Sequence, residues 1–401
     1  MNEWKQTTLG NCFDLVRNKV HPETLDSRYP YVGMEHIRPN TPKITATGTV
    51  GAINSQVGLF KRDDVLFGRL RAYLRKVAIA EHDGASSTEV LILRSRHAVV
   101  EPGFLYLLSS SEACIDYAVA MSAGSRMPRT SAADLSAFPI ALPPPDEQRR
   151  IVDVMAAVEA QIEALTDELS KSRAVLRRTL SDHFEAISSC ETRIVDLCSH
   201  VIGGVWGAAE GQAEVDVLAL GPRIYASGTS DFVTDGSPIR SVTAKQAKSR
   251  LVQPNDIILE RSGGSPEQPV GRVVIAGEGL APCIPTDFQR LMRPDVDRVR
   301  PRYLFWRLQH DWNTGLTRAF SRRTTGITNL SVKDYISREI SIPGDDEQDA
   351  LVSVADGIDS VIRATEAELA HLRAFRSSFL TSLLNQEIEI PESYDAVLEE
   401  A

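Results

Sequence analysis

The residues in this sequence best suited to chemistry are arginines interleaved with aromatic and hydroxyl side chains, and the chemistry is recognition of phosphates and base edges. KRDDVLFGRLRAYLRK (Lys61–Lys76) carries six cations against two acids, with Phe67 and Tyr73 interleaved. Lys61, Arg62, Arg69 and Arg71 are its candidate contacts. GSRMPRTS places Arg126 and Arg129 in a Gly/Pro loop, and RAFSRRTT sets Arg318, Arg322 and Arg323 beside Thr324 and Thr325. Guanidinium forks and hydroxyls on loops suit phosphate oxygens, and arginine can also make two hydrogen bonds to guanine in a major groove. A solvated surface arginine is the alternative for each residue alone. Recurrence of such clusters in corresponding regions of a repeat favours binding.

Motifs for catalysis are missing. There is no GxxxxGK[ST], no GxGxxG after a strand, no HExxH and no NPPF-type methyltransferase motif. SGGSPEQPVG (Ser262–Gly271) lacks the lysine a phosphate loop needs. Cys190, Cys198 and His200 have the wrong spacing for a metal and lack a fourth ligand. The acid pairs Asp63–Asp64 and Asp345–Asp346 fall where turns or helix starts are expected. The expectation is a non-catalytic chain with no metal or cofactor of its own. Five scattered cysteines without a CxxC pair suit reduced thiols. No apolar run approaches the roughly 18 residues of a membrane span. Both point to the cytoplasm.

The net charge of −10 is unevenly spread. Residues 1–145 and 191–345 carry +2 and +1, whereas 146–190, 346–385 and 386–401 carry −3, −4 and −6. Overall acidity is therefore no argument against nucleic-acid binding by the two larger blocks.

These blocks form an internal repeat. Glu147 and Gln148 align on Glu347 and Gln348, Pro143 on Pro343, and Ile151 and Val152 on Leu351 and Val352. Upstream, DDVLFGR resembles NDIILER, RKVAIAE resembles GRVVIAGE, and FLYLL matches YLFWR, with drift that belongs in loops. Each block mixes strands (Val65–Phe67, Val77–Ala80, Val90–Leu93; Asp256–Leu259, Val273–Ala276) with one helix, Phe104–Ala120 or Arg302–Phe320. That is an α+β fold. After LPPPDEQ and IPGDDEQ, apolar residues recur at alternating four and three spacing. The first seam is Ile151, Met155, Val158, Ile162, Leu165, Leu169 and Leu176; the second is Leu351, Ile358, Ile362, Leu369 and Leu372. This period predicts two long helices in an antiparallel coiled coil, with Asp146 and Asp346 as N-caps. At 1.5 Å per residue, ~40 residues make a rod of about 60 Å. The expected order is a first domain (1–145), a spacer helix (146–190), a second domain (191–345), a second spacer helix (346–385) and an acidic tail (386–401), arranged about a pseudo-twofold.

DVLFGRLRAYLRKVAIA, FPIALPPPDEQRRIV and the degenerate ISIPGDDEQDALV together resemble the specificity subunit of type I restriction–modification systems, across nearly the whole chain. The resemblance implies two target-recognition domains, each reading half of an asymmetric bipartite sequence in double-stranded DNA, with the two helices as spacer. It also implies two methyltransferase subunits and ATP-driven restriction subunits as partners. S-adenosylmethionine, ATP and magnesium would then belong to those partners, and this chain would itself be no enzyme. A reader serving another methylation-based defence system or an orphan methyltransferase is one alternative. A coiled-coil adaptor that reads no bases is another.

Two further expectations follow. IPGDDEQ, poorer in proline, suggests a second junction that is looser or that binds its partner differently. ETRIVDLC should enter the second domain as a strand, and by symmetry QEIEIPESY, with Ile388 and Ile390 alternating, suggests a tail that docks on the first domain and closes the molecule into a pseudo-cyclic ring; an acidic disordered tail is the alternative.

Overall fold

The computed structural model describes residues 4–124, 126–187, 191–225, 230, 234–264, 268–323 and 327–396. In it the apolar run VLFG, Val65–Gly68, is buried throughout, as suits an inner strand covered on both faces. It lies in a four-stranded antiparallel sheet ordered Phe13–Leu15, Val90–Ser95, Val65–Gly68, Val77–Ile79. The turn leading into it holds Asp63 at φ 69°, a left-handed conformation that aspartate tolerates better than most residues. The next residue, Asp64, is buried and receives both Nε and NH2 of Arg94, at 2.8 and 2.7 Å.

The repeat reproduces each of these features. Ile257–Glu260 is wholly buried in a sheet ordered Cys198–Gly203, Gln289–Pro294, Ile257–Glu260, Val273–Ile275. Asn255 takes φ 68°, and the buried Asp256 receives Arg293 at 2.7 and 2.8 Å. A second sheet follows in each copy, with one parallel pair: Pro30–Val32 on Gly84–Ser86, and Val215–Leu220 on Cys283–Pro285. A short ribbon closes each copy, Lys5–Thr8 on Pro139–Leu142 and Glu191–Arg193 on Glu339–Ser341.

The chain packs as two compact units, Met1–Leu165 with Leu369–Ala401, and Thr166–Glu368. Each contains one set of sheets and parts of both long helices, Pro145–Ala186 and Asp345–Leu384. In the first unit, Ile151 and Met155 share a core with Leu380 and Leu383, so the early part of one helix meets the late part of the other. In the second unit, Arg173 pairs with Glu366. Within each unit the two helical segments are therefore antiparallel. Of the seam residues, Ile151, Met155, Ile162, Leu165, Leu169, Leu176, Leu351, Ile362 and Leu369 are buried; Val158, Ile358 and Leu372 are partly so. Among the described residues, no helix is long and apolar enough to cross a membrane.

Several local expectations are corrected. Phe104–Ala120 is two helices, Pro102–Ser110 and Glu112–Ala120, because Ser111 leaves the helical region (ψ 150°) and its hydroxyl accepts from Cys114 N. The other stretch ends as an α-helix at Asn313. Gly315 at φ 78° follows, and Leu316–Phe320 winds as a 3-10 turn. Asp146 and Asp346 are not caps: both long helices start before them, and the two acids sit in the first turn, where they still favour the helix dipole. Nor is the second junction looser. Gln148 and Gln348 are both buried, and each Nε2 donates to the proline carbonyl five residues back, Pro143 or Pro343, at 2.9 Å. Each Oε1 accepts a backbone N–H, from Glu101 at 3.3 Å or Arg300 at 2.9 Å. The prolines that are lost between copies, Pro144 and Pro145 against Gly344 and Asp345, take no part in these side-chain bonds.

Candidate functional site

Val65–Gly68 delivers the first arginine cluster. Where the strand ends, Arg69 N donates to Glu89 O at 2.9 Å, and Thr130 N donates to Arg69 O at 3.1 Å. Arg71 N then donates to Pro128 O at 2.8 Å, and Leu70 bridges Arg129. The loop after the strand is thus zipped to the loop of Arg126 and Arg129, bringing Arg69, Arg71, Arg126 and Arg129 to one end of the sheet. Tyr73 (54% exposed), Leu74 and Met127 are exposed on the same loops, as are Arg71 and Arg126.

The four arginines differ in availability. Arg129 grips Glu89 through Nε (2.9 and 3.0 Å) and NH2 (2.7 Å). This hydrogen bonding, with the charges of Arg129 and Arg69, holds the Glu89 carboxyl below its usual range although burial acts the other way. Arg69 contributes to that field from a part-buried position, its Nε without a partner among the described residues. Arg71 and Arg126 have no carboxylate partner among the described residues and face solvent. They are the more exposed pair of the four. Lys61 and Arg62 are not part of this group. They lie in the turn at the other end of Val65–Gly68, where their backbone amides bond Asp64 and Asp83.

In the second unit the corresponding loops form a three-stranded ribbon, Ser262–Gly264, Thr328–Leu330 and Ser321–Arg323. Leu330 N donates to Arg261 O at 2.8 Å, the counterpart of Thr130 on Arg69. Arg322 is highly exposed and lies 3.8 Å from Asp334. Arg318 is exposed on the 3-10 turn before the ribbon. Arg323 ends the strand opposite Thr328, while Thr324 and Thr325 lie outside the described residues.

Other positions carried little signal in the sequence. Trp206 is part-exposed and Arg240 stacks 4.5 Å above its ring, a cation–π pair joining segments 34 residues apart. Glu89, which decides whether Arg129 is available, stands 40 residues from it. Gln148 and Gln348 were visible only as part of a repeated dipeptide. Of the Cys190–Cys198–His200 grouping, Cys190 lies outside the described residues. His200 Nε2 sits 2.9 Å from Ser249 O, and burial pushes the Cys198 thiol up to about 12.

The arrangement offers arginines, aromatic rings and exposed loops, with no nucleophile–base pair among the described residues. Residues 1–171 match the family model described as the type I restriction modification DNA specificity domain. One curated relative is the type I restriction enzyme EcoDI specificity subunit of Escherichia coli, 25% identical over 178 residues. That match covers 43% of this chain and 38% of the relative's length. Among solved structures, a chain described under complex assembly and conformational transition of the type I R-M system superposes with a TM-score of 0.58 at 20% identity, covering 96% of this chain and 98% of the other. The type I restriction–modification S subunit from M. genitalium gives 0.59 at 13% identity, covering 96% of each. At these identities the structural matches speak for the fold alone.

Proposed function

We propose that this chain, whose residues 1–171 carry a type I restriction modification DNA specificity domain, is the DNA sequence-recognition subunit of a type I restriction–modification complex. Each compact unit reads one half of an asymmetric bipartite target, and the long helices shared by both units set the interval between the halves. The observation that carries this reading is the repeated sheet with diverged reading loops. Arg69 and Arg261 follow corresponding strands and accept corresponding backbone bonds, from Thr130 and Leu330, yet the loops around them differ in sequence and in pairing. Two identical readers would recognise a repeated half-site; two divergent ones suit an asymmetric target.

The chain contributes positioning and no bond-breaking chemistry. Methyl transfer and cleavage belong to two methyltransferase subunits and to motor–nuclease subunits, which bring S-adenosylmethionine, ATP and magnesium, all in the cytoplasm. Modification-sensitive sequencing of host DNA with and without the gene tests the proposal. Loss of one bipartite N6-methyladenine motif on deletion is the expected result. An unchanged methylation pattern beside an active partner methyltransferase overturns it.

A further inference from the structure

In the first unit, the acid that pairs with Arg129 is Glu89, whose backbone carbonyl accepts Arg69 N. In the second unit that position holds Phe288: Arg261 N donates to Phe288 O at 2.7 Å, and Ser262 N donates to the same oxygen at 3.1 Å. A carboxylate is thus replaced by an exposed phenyl ring.

A further cation stands beside it. Arg290 lies opposite Leu259 in the sheet. Phe288 and Arg261 lie one residue beyond the paired ends of these two strands, where Arg261 N bonds Phe288 O, so Arg261, Phe288 and Arg290 meet at one end of the sheet. Arg290 also lies opposite Gly203, and a Cβ added at Gly203 would stand 3.3 Å from the guanidinium carbon. Glycine there leaves room for the side chain to lie across the sheet. Among the described residues, no carboxylate forms an ion pair with Arg261 or Arg290. Arg290 NH1 donates to the Gln289 carbonyl at 2.8 Å. Burial and the charge of Arg261 lower the Arg290 pKa, and Asp287 opposes them only in part. Two like charges held together at a part-buried site carry an electrostatic cost that an incoming anion would offset.

We propose that Arg261 and Arg290, with the Phe288 ring beside them, form a phosphate site in the second unit that takes the sugar–phosphate backbone of duplex DNA. This rests on the DNA-reading function proposed above and places a contact outside the Arg318–Thr325 cluster. Two guanidiniums at one end of the sheet can each donate to a phosphate oxygen, and the ring supplies an apolar wall for the deoxyribose.

The test titrates the full-length chain with a fluorescent duplex of mixed sequence over a range of salt concentrations. Arg261→Ala and Arg290→Ala should each weaken low-salt affinity, roughly threefold to tenfold, and flatten the slope of log K against log salt by about 1. Phe288→Glu, which recreates the neutralised arrangement of the first unit, should weaken binding while leaving both arginines in place. Melting curves accompany each variant. Arg261, whose side chain makes no bond among the described residues, carries the test if Arg290→Ala does not fold. Wild-type binding with unchanged affinity and slope in Arg261→Ala and Phe288→Glu overturns the site but leaves the reading function standing. A wild-type chain that binds no duplex at any salt overturns both.

Discussion

Arg376 on the second long helix donates from Nε to Glu159 on the first at 2.6 Å, and both side chains are largely withdrawn from solvent. Its NH2 lies 3.3 Å from the Tyr106 hydroxyl. In the second unit the corresponding positions hold Leu176 and Asp359, and Asp359 accepts from Ser230 at 2.6 Å instead. The same helical seam is therefore completed by a buried ion pair in one unit and by a different partner set in the other.

Arg376→Leu should leave Glu159 with a desolvated, uncompensated charge and destabilise the first unit by about 3 kcal/mol. Pairing it with Glu159→Leu should recover most of that loss, since isosteric apolar replacement of a buried pair is often near neutral. Urea denaturation of both variants checks the prediction; equal losses in the single and double variants would contradict it.

Gln148→Ala and Gln348→Ala should each cost about 2 kcal/mol, because the truncation strands a buried proline carbonyl and a backbone N–H. The two losses should be of similar size despite the different prolines around them. A much smaller effect at Gln348, read by denaturant midpoint, would restore the idea of a loose second junction.

Arg71→Ala and Arg126→Ala should weaken duplex binding and lower its salt slope by about 1 each while leaving the melting temperature nearly unchanged. Arg129→Ala should do both kinds of damage, since it releases Glu89 as an unpaired negative charge in the same loops. Binding titrations alongside thermal melts separate these outcomes.

Acidification should weaken the second unit below about pH 6.5. Burial lowers the pKa of His183 and His310; Arg307 lowers both further, and Arg338 adds to this at His310. Glu347 opposes the shift at His183, as Asp311 and Glu185 do at His310. The unfolded chain therefore binds protons at higher pH than the folded one. The stability from neutral histidines is full above the unfolded pKa of about 6.5 and is lost as pH falls through and below it. His183→Leu, which copies Leu383 at the corresponding position, should shrink this loss in melts run from about pH 7.5 to 5.5.

The tail should resist proteolysis up to its last described residues. Tyr394 donates to Asp153 at 2.6 Å, Arg150 donates to Asp395 at 2.9 Å, and Ile390 packs on the first unit's core. Deleting 386–401 should cost about 2 kcal/mol, mostly from Ile390 and from leaving the buried Arg150 without Asp395. Limited proteolysis and melting of the truncated chain test this. The docking is achieved without the strand that alternation at Ile388 and Ile390 suggested. Ile388 remains 44% exposed, and Lys5–Thr8 is the strand that pairs with Pro139–Leu142.

What the sequence determined by itself was whatever recurs locally along the chain. The seam from Ile151 and from Leu351 was legible because helical burial has a fixed period that needs no knowledge of the partner. The repeat was legible because buried strand segments such as Val65–Phe67 and Ile257–Leu259 must be apolar on both faces. Only the tertiary structure decided which cations are available. The charge state of a loop depends on what the sheet sets beside it: Glu89 against Arg129, Phe288 against Arg261 and Arg290. Such neighbours come from hydrogen-bond register between segments tens of residues apart, and a count of arginines along the chain contains no register.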